Sequence, residues 1–436
     1  MLSRIFQSFQ KQYKVSDSVL IVGGGISGLI AAHSSLKKGK KVTLIERSDR
    51  LGGMLDTYKT EFGLVETAAN GFLNSYATEE LLQDLNLSSI QPLASSKKRY
   101  FLIQNHLRQI PISFFSIVRT LIGFLFLNAK PKENESFESW SFRIFGKQAT
   151  IHLIEPTLGG IYAAKLKDMD PRMVFSRFLW KEGDSVYRNF KNSKNKSRKK
   201  PNKKGLISFQ GGMSDLISNL TGTLDGKIEI LTNSEITSLE KLKKEYPDHK
   251  IIFCMNVQST YRILNENKVT QSALSKHNIK SIPLLSLATI TCFTKTSLLK
   301  KPGFGVLFPK DSEVSANGVL LNDFIFEGRV FGELHSETWI YAGEFLDHLT
   351  EEEIRNLVIA DRKIVSASSG EEDIVSFHPK IWKQSFPIYG TELLKFNRYL
   401  DEIENESTAS SQSIRFLGNY RYGIGLRGLI EAALNP

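Results

Sequence analysis

Residues 18–47 read SVLIVGGGISGLIAAHSSLKKGKKVTLIER. A β-branched run, Val19 to Val22, meets Gly23-x-Gly25-x-x-Gly28, and a helical apolar pattern follows through Leu29, Ala32 and Leu36. Gly39 then precedes a second apolar run, Val42 to Ile45, which ends at Glu46. Strand, glycines, helix, strand and terminal acid in this order specify a dinucleotide-binding β-α-β unit. Gly23 permits the tight turn and Gly25 admits a pyrophosphate to the backbone. Ile26 and Ser27 open the helix whose positive end receives it, and Gly28 lets that helix close on the strand. Glu46 stands 23 residues after Gly23, placed to accept hydrogen bonds from an adenosine ribose. The fingerprint alone permits NAD or FAD.

Around this unit lies an ordinary folded chain of 436 residues, 41% hydrophobic and 24% charged, which excludes disordered, fibrous and disulfide-stapled classes. Its length predicts two or three domains. The two cysteines, Cys254 and Cys292, sit in strand-like apolar runs and read as reduced, buried thiols, too few for a cysteine metal site. The net charge of +11 is concentrated: nine Lys or Arg and no acid lie between Arg188 and Lys204, leaving the other 419 residues at +2. That loop reads as a solvated insertion or a contact with anionic lipid, where each basic residue contributes about 1 kcal/mol. No motif around it points to a nucleic-acid partner.

The first sixteen residues lack the apolar core of a secretory signal, so a cytoplasmic protein is expected, with a peripheral contact on the membrane face as the sharper alternative. No apolar run is long enough to span a bilayer. The nearest approach is Ile112 to Leu127, ISFFSIVRTLIGFLFL, interrupted by Arg119. It reads either as a buried core helix or as a helix lying in one leaflet with the basic loop on the headgroups.

The segment after Glu46, Arg47-Ser-Asp-Arg50-Leu-Gly52-Gly53-Met54, resembles the E-R-x-x-R-x-G-G continuation of the FAD-dependent amine oxidase superfamily. Later segments resemble its protoporphyrinogen oxidase branch, in that family's order. They are Glu66-Thr-Ala-Ala-Asn70-Gly-Phe72, Lys97-Lys-Arg99-Tyr-Phe101, Ile154 to Tyr162, Leu206 to Leu220, Gly303 to Pro309, Trp382 to Tyr389, and Leu417-Gly418-Asn419 through Gly425-Leu426. Two departures stand out. Ala163-Ala-Lys165 replaces a usual glycine and acid, and Gly390-Thr-Glu replaces a usual G-H.

The resemblance implies an α/β chain with a Rossmann-like FAD-binding domain built from the discontinuous segments 1–92, 206–289 and 401–436. An α+β substrate domain (93–110 and 290–400) and a helical domain (111–205, with the basic loop at 188–204) complete it. It implies non-covalent FAD held by Gly23, Gly25, Ile26, Ser27, Gly28, Glu46, Arg47, Gly52, Gly53, Met54, Gly418, Asn419, Gly425 and Leu426; neither cysteine lies in the C-terminal loop where a covalent link would form. The chemistry it implies is removal of hydrogens from a porphyrinogen in haem synthesis, with oxygen or a quinone as acceptor. Asn70 is expected to hydrogen-bond a pyrrole N–H, and Arg99 to pair a substrate propionate. Coproporphyrinogen oxidation, an amine oxidase, a carotenoid-type desaturase and a non-enzymatic descendant without flavin stay open, as does a homodimer.

Overall fold

The computed structural model describes residues 17–194, 199–266, 271, 274–366, 370–408 and 412–436. The expectation about the first sixteen residues lies outside them. The quoted unit folds as β1 (Ser18–Val22), α1 (Ile26–Lys37) and β2 (Lys41–Ile45). β1 is the centre of a five-stranded parallel sheet in the order Ile414–Phe416, His249–Phe253, β1, β2, Glu229–Leu231. Such a strand must be apolar on both faces. Val19 and Ile21 pack on α1 and the helix Ser214–Leu224, while Leu20 and Val22 pack toward Phe253, Phe416 and Tyr399 on the other side.

Three remote stretches of chain thus complete one sheet, and the alternation of strands and helices is that of a Rossmann-like domain. The expected boundary at 290 lies inside the strand Leu284–Thr294, and the helix Thr391–Thr408 places Leu393, Phe396 and Leu400 in the core beneath the parallel sheet.

A second sheet has seven strands, in the order Ile374–Pro387, Leu284–Thr294, His335–Ala342, Gly318–Leu321, Gly305–Leu307, Tyr100–Ile103 and His106–Arg108. It is antiparallel except where Gly305–Leu307 runs beside Tyr100–Ile103. Ala288, Ile290, Cys292, Trp339 and Tyr341 line one face, covered by Ile354 and Val358 of the helix Glu351–Val365. Register places Thr289, Thr291 and Thr338 on the other face. The alternating run from Gly318 predicts a strand past residue 321, but the chain turns into a short helix at Asn322–Ile325. There the Asn322 amide donates to the Ser336 and Thr338 hydroxyls of the neighbouring strand. Cys254 is half-buried rather than buried; Cys292 is buried, and both are free.

The region 111–205 is helical and organised around Phe137, Trp140, Phe175, Phe178 and Trp180, whose rings meet at 4.8–6.2 Å. The expected apolar helix forms at Phe114–Phe126, capped by Ser113. It is not a buried core helix, and that expectation is corrected here. Gly123 is its one buried residue, while Phe115 is 84% and Phe126 73% exposed. Arg119 turns inward and donates to the carbonyls of Ile144 and Arg143 at 2.8 and 2.9 Å. The charge that interrupts the apolar run therefore leaves the outer face uncharged. The basic stretch begins as a helix, Val186–Lys194, whose Tyr187 and Phe190 rings lie against Phe124. Residues 195–198 lie outside the described set. The following turn is tied down, with the N–H groups of Asn202 and Lys203 donating to Glu79 at 2.8 Å.

Candidate dinucleotide and substrate site

The glycine turn after β1 is braced on both sides. The Gly23 N–H donates to the Ile45 carbonyl at 2.8 Å. The Gly24 N–H donates to Glu46 Oε2 at 2.7 Å, while the Ser48 N–H and hydroxyl donate to Glu46 Oε1 at 2.9 and 2.8 Å. Glu46 thus ties the turn to the end of β2, and Oε2 keeps a lone pair for a further donor. Arg47 is exposed just beyond it.

The second glycine pair closes on the first. The Gly52 N–H donates to the Gly24 carbonyl at 2.8 Å, and a Cβ built on Gly53 would lie 3.1 Å from the Gly25 Cα. Arg50 braces this loop by donating to the carbonyls of Leu51, Gly53 and Leu55, so its charge serves the loop first. Met54 is half-buried and its carbonyl accepts from the Thr67 hydroxyl at 2.8 Å.

The C-terminal loop arrives through a Leu417 N–H bond to the Phe253 carbonyl at 2.7 Å, which sets Gly418 beside the parallel sheet. The Asn419 carbonyl accepts from the Tyr389 hydroxyl at 2.6 Å. Gly425 then begins the helix Leu426–Ala433, which packs beside α1 through a Ser34 hydroxyl bond to the Leu434 carbonyl at 2.6 Å. Neither Gly25 nor Gly425 offers a capping side chain, so the first N–H groups of both helices point outward unmet by one.

Which glycines does the protein itself need? A Cβ on Gly28 would lie 1.9 Å from the Gly23 carbonyl oxygen, so helix and strand could not close. Gly25 is different. Its φ is an ordinary −71°, and an added Cβ would meet nothing nearer than the Gly53 Cα at 3.9 Å. Gly425, with φ −77°, would meet nothing within 4 Å. Neither backbone strain nor packing demands glycine at these two helix starts, but a phosphate-bearing ligand lying against bare main chain does. The residues fit a dinucleotide.

The loop after Glu66 joins this cradle to the second sheet. The Thr67 carbonyl accepts from the Thr289 hydroxyl at 3.2 Å and from the Trp382 indole at 2.9 Å. Asn70 donates its amide N–H to Asn322 Oδ1 at 3.1 Å, and its carbonyl accepts from the Ser208 hydroxyl at 2.8 Å. Ser208 in turn accepts from buried Arg329 at 2.6 Å. Arg99 is not brought to Asn70 by any hydrogen bond; it is exposed and lies over the Phe304 ring at 4.7 Å. Below the loop, Glu66 accepts from the Thr57 hydroxyl at 2.7 Å and the Met213 N–H at 2.9 Å. Burial pushes its carboxyl up to about 7, against those two bonds and the Arg329 charge.

Asn322, Ser208 and Arg329 escape the sequence reading. Ser208 lies inside a quoted motif and Asn322 breaks a strand pattern, but Arg329 carries no local signal. The first departure falls at a left-handed turn, the conformation glycine favours. Ala163 takes it at φ 59°, while Ala164 beside it is buried without a positive φ. Lys165 is exposed.

Comparison with known proteins agrees with this geometry. Residues 21–85 match the model of the NAD(P)-binding Rossmann-like domain. The chain is 25% identical to protoporphyrinogen oxidase 2 of Arabidopsis thaliana, over 94% of its own length and 90% of that protein. The likeness is to the porphyrinogen oxidases. It is also 23% identical to coproporphyrinogen III oxidase of Bacillus subtilis, over 95% of both chains. Among solved structures, a protein of Exiguobacterium sp. 255-15 provisionally assigned as a protoporphyrinogen oxidase superposes with a TM-score of 0.73 at 16% identity, covering 96% of this chain and 97% of that one. That likeness shows the fold: a Rossmann-like domain of discontinuous segments, an α+β domain and a helical region.

Proposed function

We propose that this chain is an FAD-dependent oxidase that removes hydrogens from a porphyrinogen in haem synthesis. The observation that supports it most is the pair of bare helix starts, Gly25 and Gly425, on a chain similar over nearly its whole length to porphyrinogen oxidases. FAD bound there would supply the hydride acceptor and pass electrons to dioxygen or a quinone.

In this reading Gly23 to Gly28, Gly52 and Gly53 hold the pyrophosphate, Glu46 and Arg47 flank the adenosine, and Gly418 to Leu426 with Met54 border the flavin. Asn70 offers an acceptor to a pyrrole N–H. Arg99, exposed and placed over the Phe304 ring, offers its guanidinium to a propionate. The parallel-sheet segments serve the cofactor and the seven-stranded sheet the substrate, with the later boundaries moved to about 284 and 391 by the strand Leu284–Thr294 and the helix Thr391–Thr408.

A peripheral membrane contact belongs to the same reading. Phe114, Phe115, Leu121, Ile122 and Phe126 form an exposed apolar face beside a helix bearing Arg188 and Lys191. Such a pairing suits an anionic lipid surface and a poorly soluble substrate. Among the described residues no helix is long and apolar enough to cross a membrane.

Protoporphyrinogen and coproporphyrinogen should be offered separately in air, with porphyrin fluorescence as the readout. Turnover of either supports the oxidase, and their ratio names the substrate. Turnover of neither by flavin-loaded protein contradicts it.

A further inference from the structure

Arg329 is buried, 2% exposed, and feels the carboxylate charges of Glu66 and Asp215. It donates Nη2–H to Ser208 Oγ at 2.6 Å and Nη1–H to the Phe209 carbonyl at 3.3 Å, with its Cζ 5.2 Å from the Phe326 ring centre. Its Nε is buried without a hydrogen-bond partner among the described residues. Burying a guanidinium this incompletely satisfied is unfavourable, so packing alone does not explain it.

The polarity of its bonds offers an explanation. A guanidinium has donors only, so Ser208 Oγ must accept, and its single proton goes to the Asn70 carbonyl 2.8 Å away, a stronger acceptor than the Met213 sulfur at 4.0 Å. The side chain of Asn70 is held from the opposite domain. Asn322 donates both Nδ2 protons, to Ser336 Oγ and Thr338 Oγ1, each at 2.9 Å. It therefore meets Asn70 with Oδ1, and Asn70 answers with Nδ2. Asn70 Oδ1 is left as the acceptor.

We propose that Arg329 and Ser208 are positioning residues which, together with Asn322, clamp Asn70 so that its Oδ1 faces an N–H of the substrate ring. The clamp rests on the proposed oxidase function for its purpose but not for its existence, and two measurements separate them.

Hydrogen exchange reads the clamp without substrate. In the full-length protein, Ser208→Ala should speed exchange across 67–72 about tenfold while leaving 19–22 unchanged, and Ser208→Thr should restore it. Unchanged exchange in Ser208→Ala overturns the clamp.

Anaerobic flavin reduction reads its purpose. Ser208→Ala should slow reduction by porphyrinogen about tenfold and leave reduction by dithionite unchanged. In an Asn70→Ala background the same substitution should cause no further loss; independent, multiplying losses overturn the positioning role. A wild type reduced by neither porphyrinogen counts against the oxidase reading, and the exchange result then decides the clamp by itself.

Discussion

Asn70 and Asn322 meet amide to amide at 3.1 Å, joining a loop of the cofactor domain to the first turn after a strand of the second sheet. The contact spans 252 residues of sequence and fixes which end of Asn70 is free. Replacing Asn70 with Ala should lower the rate of porphyrinogen-driven flavin reduction by about tenfold or more with flavin content unchanged. A rate equal to wild type, measured by stopped flow, would remove Asn70 from the site.

The two helix-start glycines separate binding from folding. Gly25→Val should yield a folded protein, with a melting temperature near wild type, that is isolated without flavin absorbance. Gly28→Val should destabilise by about 3 kcal/mol or more, because its side chain enters the Gly23 carbonyl. Absorbance spectra and thermal melts check both. A yellow Gly25→Val variant would contradict the nucleotide cradle.

Glu66 gives a pH signature. Its folded carboxyl is raised from 4.5 to about 7, so the folded state holds the proton more tightly than the unfolded one. Stability contributed by the protonated form is therefore full below pH 4.5 and is lost as pH rises toward 7, by about 3 kcal/mol in all. Glu66→Gln keeps an acceptor for the Met213 N–H, turns its NH2 toward the Thr57 hydroxyl, and should flatten that decline in urea melts taken from pH 5 to pH 8. An identical slope in variant and wild type would refute the assignment.

Under the second sheet, Arg362 is locked between Glu337 and Asp373 at 3.1 and 2.6 Å, with both Arg362 and Glu337 side chains 1% exposed. Glu337→Leu leaves a buried cation short of a partner and should destabilise by about 3 kcal/mol. A loss below about 1 kcal/mol in denaturant titration would show that Asp373 alone suffices.

What was legible in the sequence was local. β1, α1 and β2 form one continuous unit, so strand, glycines and acid could be read directly, and the late glycine loop followed from order along the chain. The contacts that hold Asn70 come from residues 138, 252 and, through Ser208, a further 121 positions away, where no spacing rule applies. At Asn322 the chain leaves the strand for a short helix, a turn that alternation does not signal. The Phe114–Phe126 helix admitted two readings for another reason. Apolarity on every side says that a surface is not meant for water, and says nothing about whether protein or lipid covers it.

That helix can be tested separately. Phe115→Glu with Phe126→Glu should abolish co-flotation with vesicles containing phosphatidylserine while leaving the melting temperature within a few degrees of wild type, since both rings are exposed. Equal flotation of variant and wild type would rule this face out as the lipid contact.

The central claim is a flavin reduced by a porphyrinogen, and anaerobic mixing of the purified, flavin-loaded protein with protoporphyrinogen or coproporphyrinogen tests it most directly. The account predicts bleaching of the flavin bands together with the rise of oxidised tetrapyrrole products, and return of the flavin bands on admitting oxygen or a quinone. Flavin bands that stay unchanged with both substrates, in protein that dithionite reduces normally, would contradict it.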